Sequence, residues 1–370
     1  MDDSILIDLI AGARPNFIKI APLVRAIQDS INQGGKLRYR LVHTGQHYDK
    51  NMSGQFFEQL NIPEPDVNLG AGGGTQAEQT AKIMVAYEKL LLEAPSKLCL
   101  VVGDVTSTMA CSIAAKKLYI PVAHVEAGIR SYDIKMPEEI NRMVTDSITD
   151  YFFTTTELAC TILKNDGVDE SRIYLVGNTM IDTLLYNLER LKQPPIWAAL
   201  DLQKKGFLVL TLHRPSNVDE ENDLHQLLTT IDEHAQDHPI IFPVHPRTKA
   251  ILERSAIKFK NIHMTEPMGY LEFNYLVKNA KAVITDSGGI TEETTVLGVP
   301  CMTLRENTER PETITQGTNE LVGTDPQKII KPLEVLFSGN WKKGQIPALW
   351  DGKTSPRIVA ILEGLMGDKG

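Results

Sequence analysis

Few cysteines, no long apolar run and no metal or redox signature set this 370-residue sequence apart from several large classes of protein. Its four cysteines, Cys99, Cys111, Cys160 and Cys301, are scattered, each inside an apolar run. That spacing builds no disulfide framework and fits reduced, buried thiols of a cytoplasmic protein. No apolar stretch approaches the roughly 20 residues that cross a bilayer. The opening MDDSILIDLIAGARPN puts acids where a signal peptide needs a basic region, so neither export nor membrane attachment is expected. HExxH, paired CxxC and clustered His/Asp ligands are missing, so no metal is expected and no cofactor is required. A GxSxG elbow is also missing, which removes the usual α/β-hydrolase reading. The glycine run Gly70–Gly74 lacks the GxGxxG spacing of a dinucleotide site and reads as a connector before a helix starting near Thr75. A net charge of −9 argues against general nucleic-acid affinity, because phosphate backbones want a basic surface. It leaves room for a single nucleotide, which needs only a few local cations and helix N-termini.

The sequence does hold short apolar, β-rich runs alternating with helix-length amphipathic segments. Hydrophobic residues make up 42% and charged residues 23%, ordinary values for a globular protein. The length suits two domains of roughly 150 to 200 residues. Strands are expected at Ile5–Ala11, Leu37–Thr44, Leu98–Val102, Pro121–Glu126 and Tyr151–Thr155. After a polar stretch near Gln193-Pro194-Pro195 the pattern restarts at Phe207–Leu212, Ile240–Val244, Ile262–Thr265, Ala282–Thr285 and Cys301–Leu304. Continuous apolar strands separated by helices predict parallel sheets covered on both faces. The expectation is two doubly wound, Rossmann-like α/β domains with a central cleft, 1–178 and 179–354. In such sheets ligands sit at the carboxyl ends of the strands.

Four constellations fall at those ends. In Gly12–Lys19, a glycine turn opens a helix whose free N–H groups suit an anion, and Arg14 and Lys19 could reach a diphosphate. A capped helix with a solvated lysine explains the segment equally well. In Thr285–Glu293, the two glycines after Ser287 exceed what capping requires, so Ser287, Gly288 and Gly289 read as a second anion site. Glu293 lies where a carboxylate could accept from two ribose hydroxyls. The acids Asp104 and Glu126 each end a buried strand, an expensive place for a carboxylate without a partner or a purpose. Asp104 could instead cap the helix that follows, and Glu138 with Glu139 open a helix where acids are ordinary. Finally, His213 with Arg214, and His245 with Arg247, end strands of the second domain, where they could contact phosphate or serve as structural hydrogen-bond partners. Two anion sites in two domains suggest one nucleotide diphosphate held between them.

The strings GARPNFIK, TGQHYD, GDVTST, HVEAGIRS, MPEEINR, GNTMIDTL, TLHRPSN, PVHPRT, TDSGGITEE and RENTERPETITQGTN, in this order, resemble the non-hydrolysing UDP-N-acetylglucosamine 2-epimerases over nearly the whole chain. The resemblance implies the glycosyltransferase-B architecture, UDP bound mainly by the second domain, and a final helix (355–370) returning to the first. It implies a UDP-sugar substrate and a homodimer. UDP would be expelled from carbon 1 as carbon 2 loses its proton, giving a 2-acetamidoglucal to which UDP re-adds after the proton returns on the opposite face. By resemblance Asp104, Glu126 and Glu138 are the acid/base carboxylates and His213 the catalytic histidine. Arg14, Lys19 and His213 would neutralise the leaving diphosphate, and Arg142 would hold Glu138 or a phosphate. Ser287, Gly288, Gly289 and Glu293 match the phosphate and ribose positions. Phe273 matches the place where uracil is held, largely through the backbone, and Arg310 another polar position lining the cleft. Many bacterial members read AQHREMLD where this chain reads GQHYDKNM, a region linked to activation by substrate, in which Gln46 and His47 are shared. GQHYD-type wording occurs in relatives acting on other UDP-linked amino sugars, UDP-N-acetylgalactosamine being one alternative substrate. A hydrolysing 2-epimerase, a glycosyltransferase of the same fold and a catalytically silent UDP-sugar sensor are the other readings. The carboxylates of the first domain argue against the last two.

Overall fold

The computed structural model describes residues 4–45, 57–218, 220–254 and 258–367. The chain divides into two units, Met1–Tyr186 with Ala348–Gly370, and Asn187–Pro347. In the first, strands β1 (Ile5–Ala11), β2 (Leu37–His43), β3 (Val67–Asn68), β4 (Leu98–Val102), β5 (Val122–Val125), β6 (Tyr151–Thr154) and β7 (Ile173–Leu175) form a parallel sheet in the order β3-β2-β1-β4-β5-β6-β7. Strand β4 reads Leu-Cys-Leu-Val-Val and is buried throughout, because helices cover both faces. The helix Thr106–Lys117 brings Ala110, Cys111, Ala114 and Ala115 into one core with Cys99 and Val101 of β4, small side chains that allow close approach. Ile83, Tyr87 and Leu91 of the helix Gln76–Glu93 complete that core. This helix follows the glycine run and starts on a capping box between Thr75 and Glu78.

The second unit holds β8 (Leu208–Thr211), β9 (Ile240–Pro243), β10 (Ile262–Thr265), β11 (Ala282–Thr285), β12 (Cys301–Thr303) and β13 (Asn319–Leu321), again parallel, in the order β10-β9-β8-β11-β12-β13. Alternate residues serve its two faces. Leu208, Leu210, Ile240, Phe242 and Ile284 join one apolar cluster, while Val209, Ile241, Val283 and Cys301 join the other. Each unit is therefore a doubly wound α/β sheet. Strand order reverses at β1/β4 in the first and at β8/β11 in the second, the switch points where such sheets bind ligands.

The unit boundary differs from the expected 178/179. Helix Thr179–Asn187 packs with the first unit as far as Tyr186: Thr183 donates its hydroxyl to Ile18 O (2.6 Å), and Asp182 accepts from the N–H groups of Thr354 (3.0 Å) and Ser355 (2.6 Å). Asp182 thereby caps the final helix, Thr354–Gly367, from across the sequence. The return to the first unit also starts earlier than residue 355. Trp350 is buried and its Nε1 donates to Thr155 O (3.1 Å). At the helix's far end Ser30 Oγ meets Glu363 Oε1 at 2.5 Å. The Pro194-Pro195 restart lies inside the second unit. All four cysteines are free and buried, and burial pushes the thiols of Cys99, Cys111 and Cys301 up, away from reactivity. Among the described residues no helix is long and apolar enough to cross a membrane.

Candidate functional site

At the first unit's switch point, Asn16 ties two strand ends together. Its Oδ1 accepts from the N–H groups of Gly12 (3.2 Å) and Ala13 (3.0 Å), and its Nδ2 donates to Val102 O at the end of β4 (2.9 Å). Ala13, in the N-cap position, makes no side-chain cap bond, and Asn16 instead takes up the N–H groups that lead into the helix. One turn on, Lys19 places Nζ 2.6 Å from Glu126 Oε2. A Cβ on Gly103, which sits at φ +71°, would lie 3.0 Å from that Nζ and 3.8 Å from Glu126 Oε2, so glycine keeps the space open. Glu126 is itself at φ +71° and 3% exposed. A non-glycine residue held there costs on the order of 1–3 kcal/mol, and such outliers concentrate at functional sites. Its N–H donates to Phe153 O (3.0 Å), and the neighbouring Gly103 N–H to Val125 O (3.0 Å), which sets the two strand ends side by side.

Asp104 follows directly. It does not cap the next helix, whose N-cap is Val105 without a side-chain bond. Instead its Oδ2 accepts from Arg142 Nε (3.0 Å) and Nη2 (2.7 Å), and its carbonyl from Asn141 Nδ2 (2.8 Å). Arg142, 2% exposed, uses Nη1 on Glu139 Oε2 (2.5 Å). Glu139 also accepts from the backbone N–H groups of Ser131 and Tyr132 (2.9 Å each). Burial pushes this carboxyl up, but those two N–H groups and Arg142 outweigh it and hold it below the usual range. The guanidinium expected on Glu138 or a phosphate is thus engaged by Asp104 and Glu139. Glu138 lies half-buried in the first turn of the same helix, Pro137–Ile148. Behind this group, His124 is buried between Asp146 Oδ1 (2.7 Å, from Nδ1) and Gly103 O (2.8 Å, from Nε2). Burial pushes Asp146 up, but His124 and Arg130 bring it below the usual range.

In the second unit the organiser is Asp286, fully buried at the end of β11. Its Oδ2 accepts from the N–H groups of His213 (3.0 Å) and Arg214 (2.9 Å) and from Asn217 Nδ2 (3.1 Å). Its Oδ1 lies 2.6 Å from His213 Nδ1, while the His213 side chain is 59% exposed. A carboxylate on Nδ1 fixes the tautomer and aims Nε2 outward. Burial pushes Asp286 up, yet His213 and the two backbone N–H groups hold it below the usual range. Ser287 opens the helix Gly288–Leu297 without making a side-chain cap bond, so its hydroxyl and the first-turn N–H groups stay available to an anion. On the same helix Glu293 is 3% exposed and accepts from Tyr270 Oη (2.8 Å) and Asn274 Nδ2 (3.4 Å). Burial raises its carboxyl to about 7 against the pull of those two bonds.

Several sequence-picked residues sit differently from expectation. Lys19 is held by Glu126. Phe273 already donates its N–H to Gly269 O within its helix (2.9 Å), and its ring packs on the core, so that N–H is not available to a base. Arg310 is 6% exposed and pairs through Nε with Glu292 Oε1 (2.5 Å). His245 is exposed just after β9. The side chains of Arg14 and Arg247, and Gln46 and His47 altogether, lie outside the described residues. Asn16, His124, Glu139, Asp146 and Asp286 carry the site's framework and were missed as such. Their signal was position, within or next to the strings already singled out. Among the described residues no three His, Cys, Asp or Glu side chains gather to hold a metal ion.

Comparison with known proteins gives one answer. Residues 29–363 match the family described as UDP-N-acetylglucosamine 2-epimerase. The UDP-N-acetylglucosamine 2-epimerase of Methanocaldococcus jannaschii is 42% identical over 96% of this chain and 98% of its own. The crystal structure of that enzyme with UDP-GlcNAc and UDP aligns at TM-score 0.85, covering 97% of this chain and 99% of the other. The UDP-2,3-diacetamido-2,3-dideoxy-D-glucuronate 2-epimerase of Pseudomonas aeruginosa is 40% identical over 95% and 98% of the two chains.

Proposed function

We propose, from the premise that the chain belongs to the UDP-N-acetylglucosamine 2-epimerase family, that it inverts carbon 2 of UDP-N-acetylglucosamine to give the UDP-linked manno epimer without releasing free sugar. By membership it is an isomerase with two Rossmann-like α/β units. The observation that carries the reading is the pair of carboxylates, Asp104 and Glu126, at adjacent strand ends in the first unit. One is held by a buried arginine and the other in a left-handed conformation beside a lysine.

Carbon 2 has no adjacent carbonyl, so its proton is weakly acidic and departure of UDP must lead. The C1–O bond breaks with its electron pair going to the diphosphate, and positive charge builds on the ring. Asp104, Glu126 and Glu138 stabilise that charge, and one of them takes the carbon 2 proton, leaving a 2-acetamidoglucal. Another carboxylate then returns a proton to the opposite face while UDP re-adds at carbon 1. His213, backed by Asp286, and Arg14 neutralise the diphosphate. Ser287, Gly288 and Gly289 take its phosphates, Glu293 takes the ribose, and the uracil lies towards Phe273. Homodimeric assembly and a cytoplasmic location belong to the same proposal.

Proton NMR with UDP-N-acetylglucosamine in deuterated water tests it. The expected result is the manno epimer with deuterium at carbon 2 and no free sugar. Free N-acetylmannosamine with UDP would mean hydrolysis, and an unchanged spectrum would reject this substrate. The diacetamido glucuronate named for the Pseudomonas relative is the second sugar to run, since the two relatives are nearly equally similar.

The ribose assignment predicts a pH dependence. Glu293 is protonated below about 7, whereas ribose hydroxyls donating to it would favour the carboxylate. Binding therefore releases a proton, and affinity rises with pH until about 7, then levels. Uridine, which does not itself titrate in that range, is the probe. Calorimetry should show tighter uridine binding at pH 8 than at pH 6, and Glu293→Gln should flatten the dependence. A flat wild-type profile would remove Glu293 from the ribose site.

A further inference from the structure

Beside the anion site of the second unit lies a buried guanidinium with an unanswered donor. Arg305 follows β12 and is 4% exposed. Its Nη2 donates to Glu309 Oε2 (2.6 Å) and lies 3.5 Å from Asn307 Oδ1. Its Nη1 is buried and has no hydrogen-bond partner among the described residues. A buried cationic donor left unmade is costly, and proteins rarely leave one without a reason. The reason is visible in where Nη1 points. A Cβ built on Gly288, the first residue of the helix Gly288–Leu297, would lie 3.7 Å from Nη1 and 2.7 Å from Glu309 Oε1. Glycine thus keeps a space shared by three features: the first-turn N–H groups, the uncommitted donor of Arg305, and the carboxylate of Glu309. A carboxylate at a helix N-terminus is where helix charge favours an anion, and it stands where a phosphoryl group would.

We propose that Arg305 is a phosphate-binding residue of the nucleotide site and that Glu309 is a resident anion there, one that a bound diphosphate must work against. The inference rests on the reading of Ser287–Gly289 as the diphosphate site. Glu309 satisfies one arm of the guanidinium and neutralises its charge. A diphosphate arriving at the helix N-terminus meets the other arm through Nη1, and its negative charge is opposed by the carboxylate alongside. The two residues then act with opposite sign: Arg305 strengthens phosphate binding and Glu309 weakens it. The effect is confined to the phosphates, since neither residue is among the contacts of Glu293.

The test is calorimetric titration of the full chain with UDP and, separately, with uridine, which carries the base and ribose only. Arg305→Gln is expected to weaken UDP binding roughly ten- to a hundredfold, the range of a charge-assisted bond, and to leave uridine binding within about twofold. Glu309→Gln keeps an acceptor for Nη2, removes the charge, and is expected to tighten UDP binding several-fold, again without moving uridine. Equal loss of UDP and uridine in Arg305→Gln would make Arg305 a packing residue and overturn the inference. So would unchanged UDP binding in that variant, or weakened UDP binding in Glu309→Gln. Should Arg305→Gln fail to fold, Glu309→Gln decides alone. Wild-type protein that bound uridine but not UDP would overturn the diphosphate site itself, a result distinct from wild-type binding that the variants leave unmoved.

Discussion

Glu126→Gln is expected to lower kcat for epimerisation by about 10²- to 10⁴-fold, the range of a lost general acid or base, while the protein melts near the wild-type temperature. The amide is the same size as the carboxyl and can still accept from Lys19 through its oxygen, so the contact at 2.6 Å survives in weaker form. The left-handed backbone at residue 126 is unchanged, since Gln suffers there what Glu suffers. What the amide cannot do is take a proton from carbon 2 or return one. Substrate deuteration at carbon 2 should therefore fall together with epimer formation. A variant that turned over within about tenfold of wild type would reduce Glu126 to a counter-ion for Lys19. A variant that still washed deuterium into carbon 2 but made no epimer would assign Glu126 to one face of the sugar only.

The parts of this molecule that were legible in the sequence are those where local chemistry and global fold agree. Strands such as β1, β4, β10 and β11 are short, apolar runs bounded by turn residues, and the structure keeps their expected limits. The edge strands β3, β7 and β13 were not anticipated. They hold two or three residues each, Val-Asn, Ile-Tyr-Leu and Asn-Glu-Leu, too few to show alternation or an apolar run, and pairing with a neighbour alone makes them strands. The unit boundary was misplaced for a similar reason. Whether helix Thr179–Asn187 belongs to one sheet or the other depends on Asp182 meeting Thr354 and Ser355, a contact that nothing local announces. At the site, a residue type next to a strand end was enough to single out Asp104, Glu126 and His213. Their partners were not legible, because partners are set by register between elements. Arg142 reaches Asp104 from a helix that the sequence places well downstream, and only the β4–β5 pairing brings Gly103 against His124.

Asp286→Asn should lower kcat by at least about a hundredfold with little change in fold, because it reverses one hydrogen bond. In the wild type Oδ2 is surrounded by three donors, the N–H groups of His213 and Arg214 and Asn217 Nδ2. Those two backbone donors cannot turn away, so the single oxygen of an asparagine must take the Oδ2 position. Its NH₂ then falls at Oδ1, facing His213 Nδ1, where the wild type holds 2.6 Å. Two donors cannot share that contact, so Nδ1 is forced to accept and the ring proton moves to Nε2. The contact that orients the imidazole for its proposed role at the leaving diphosphate is thereby lost. Bulk packing is untouched, so melting temperature should move by no more than a few degrees. The decisive measurement is a double-mutant comparison with His213→Asn. If Asp286 acts through His213, the double variant is no slower than His213→Asn alone, because the second substitution removes nothing further. Losses that multiply would mean that Asp286 supports catalysis by another route, through the loop it bonds to at Arg214 and Asn217.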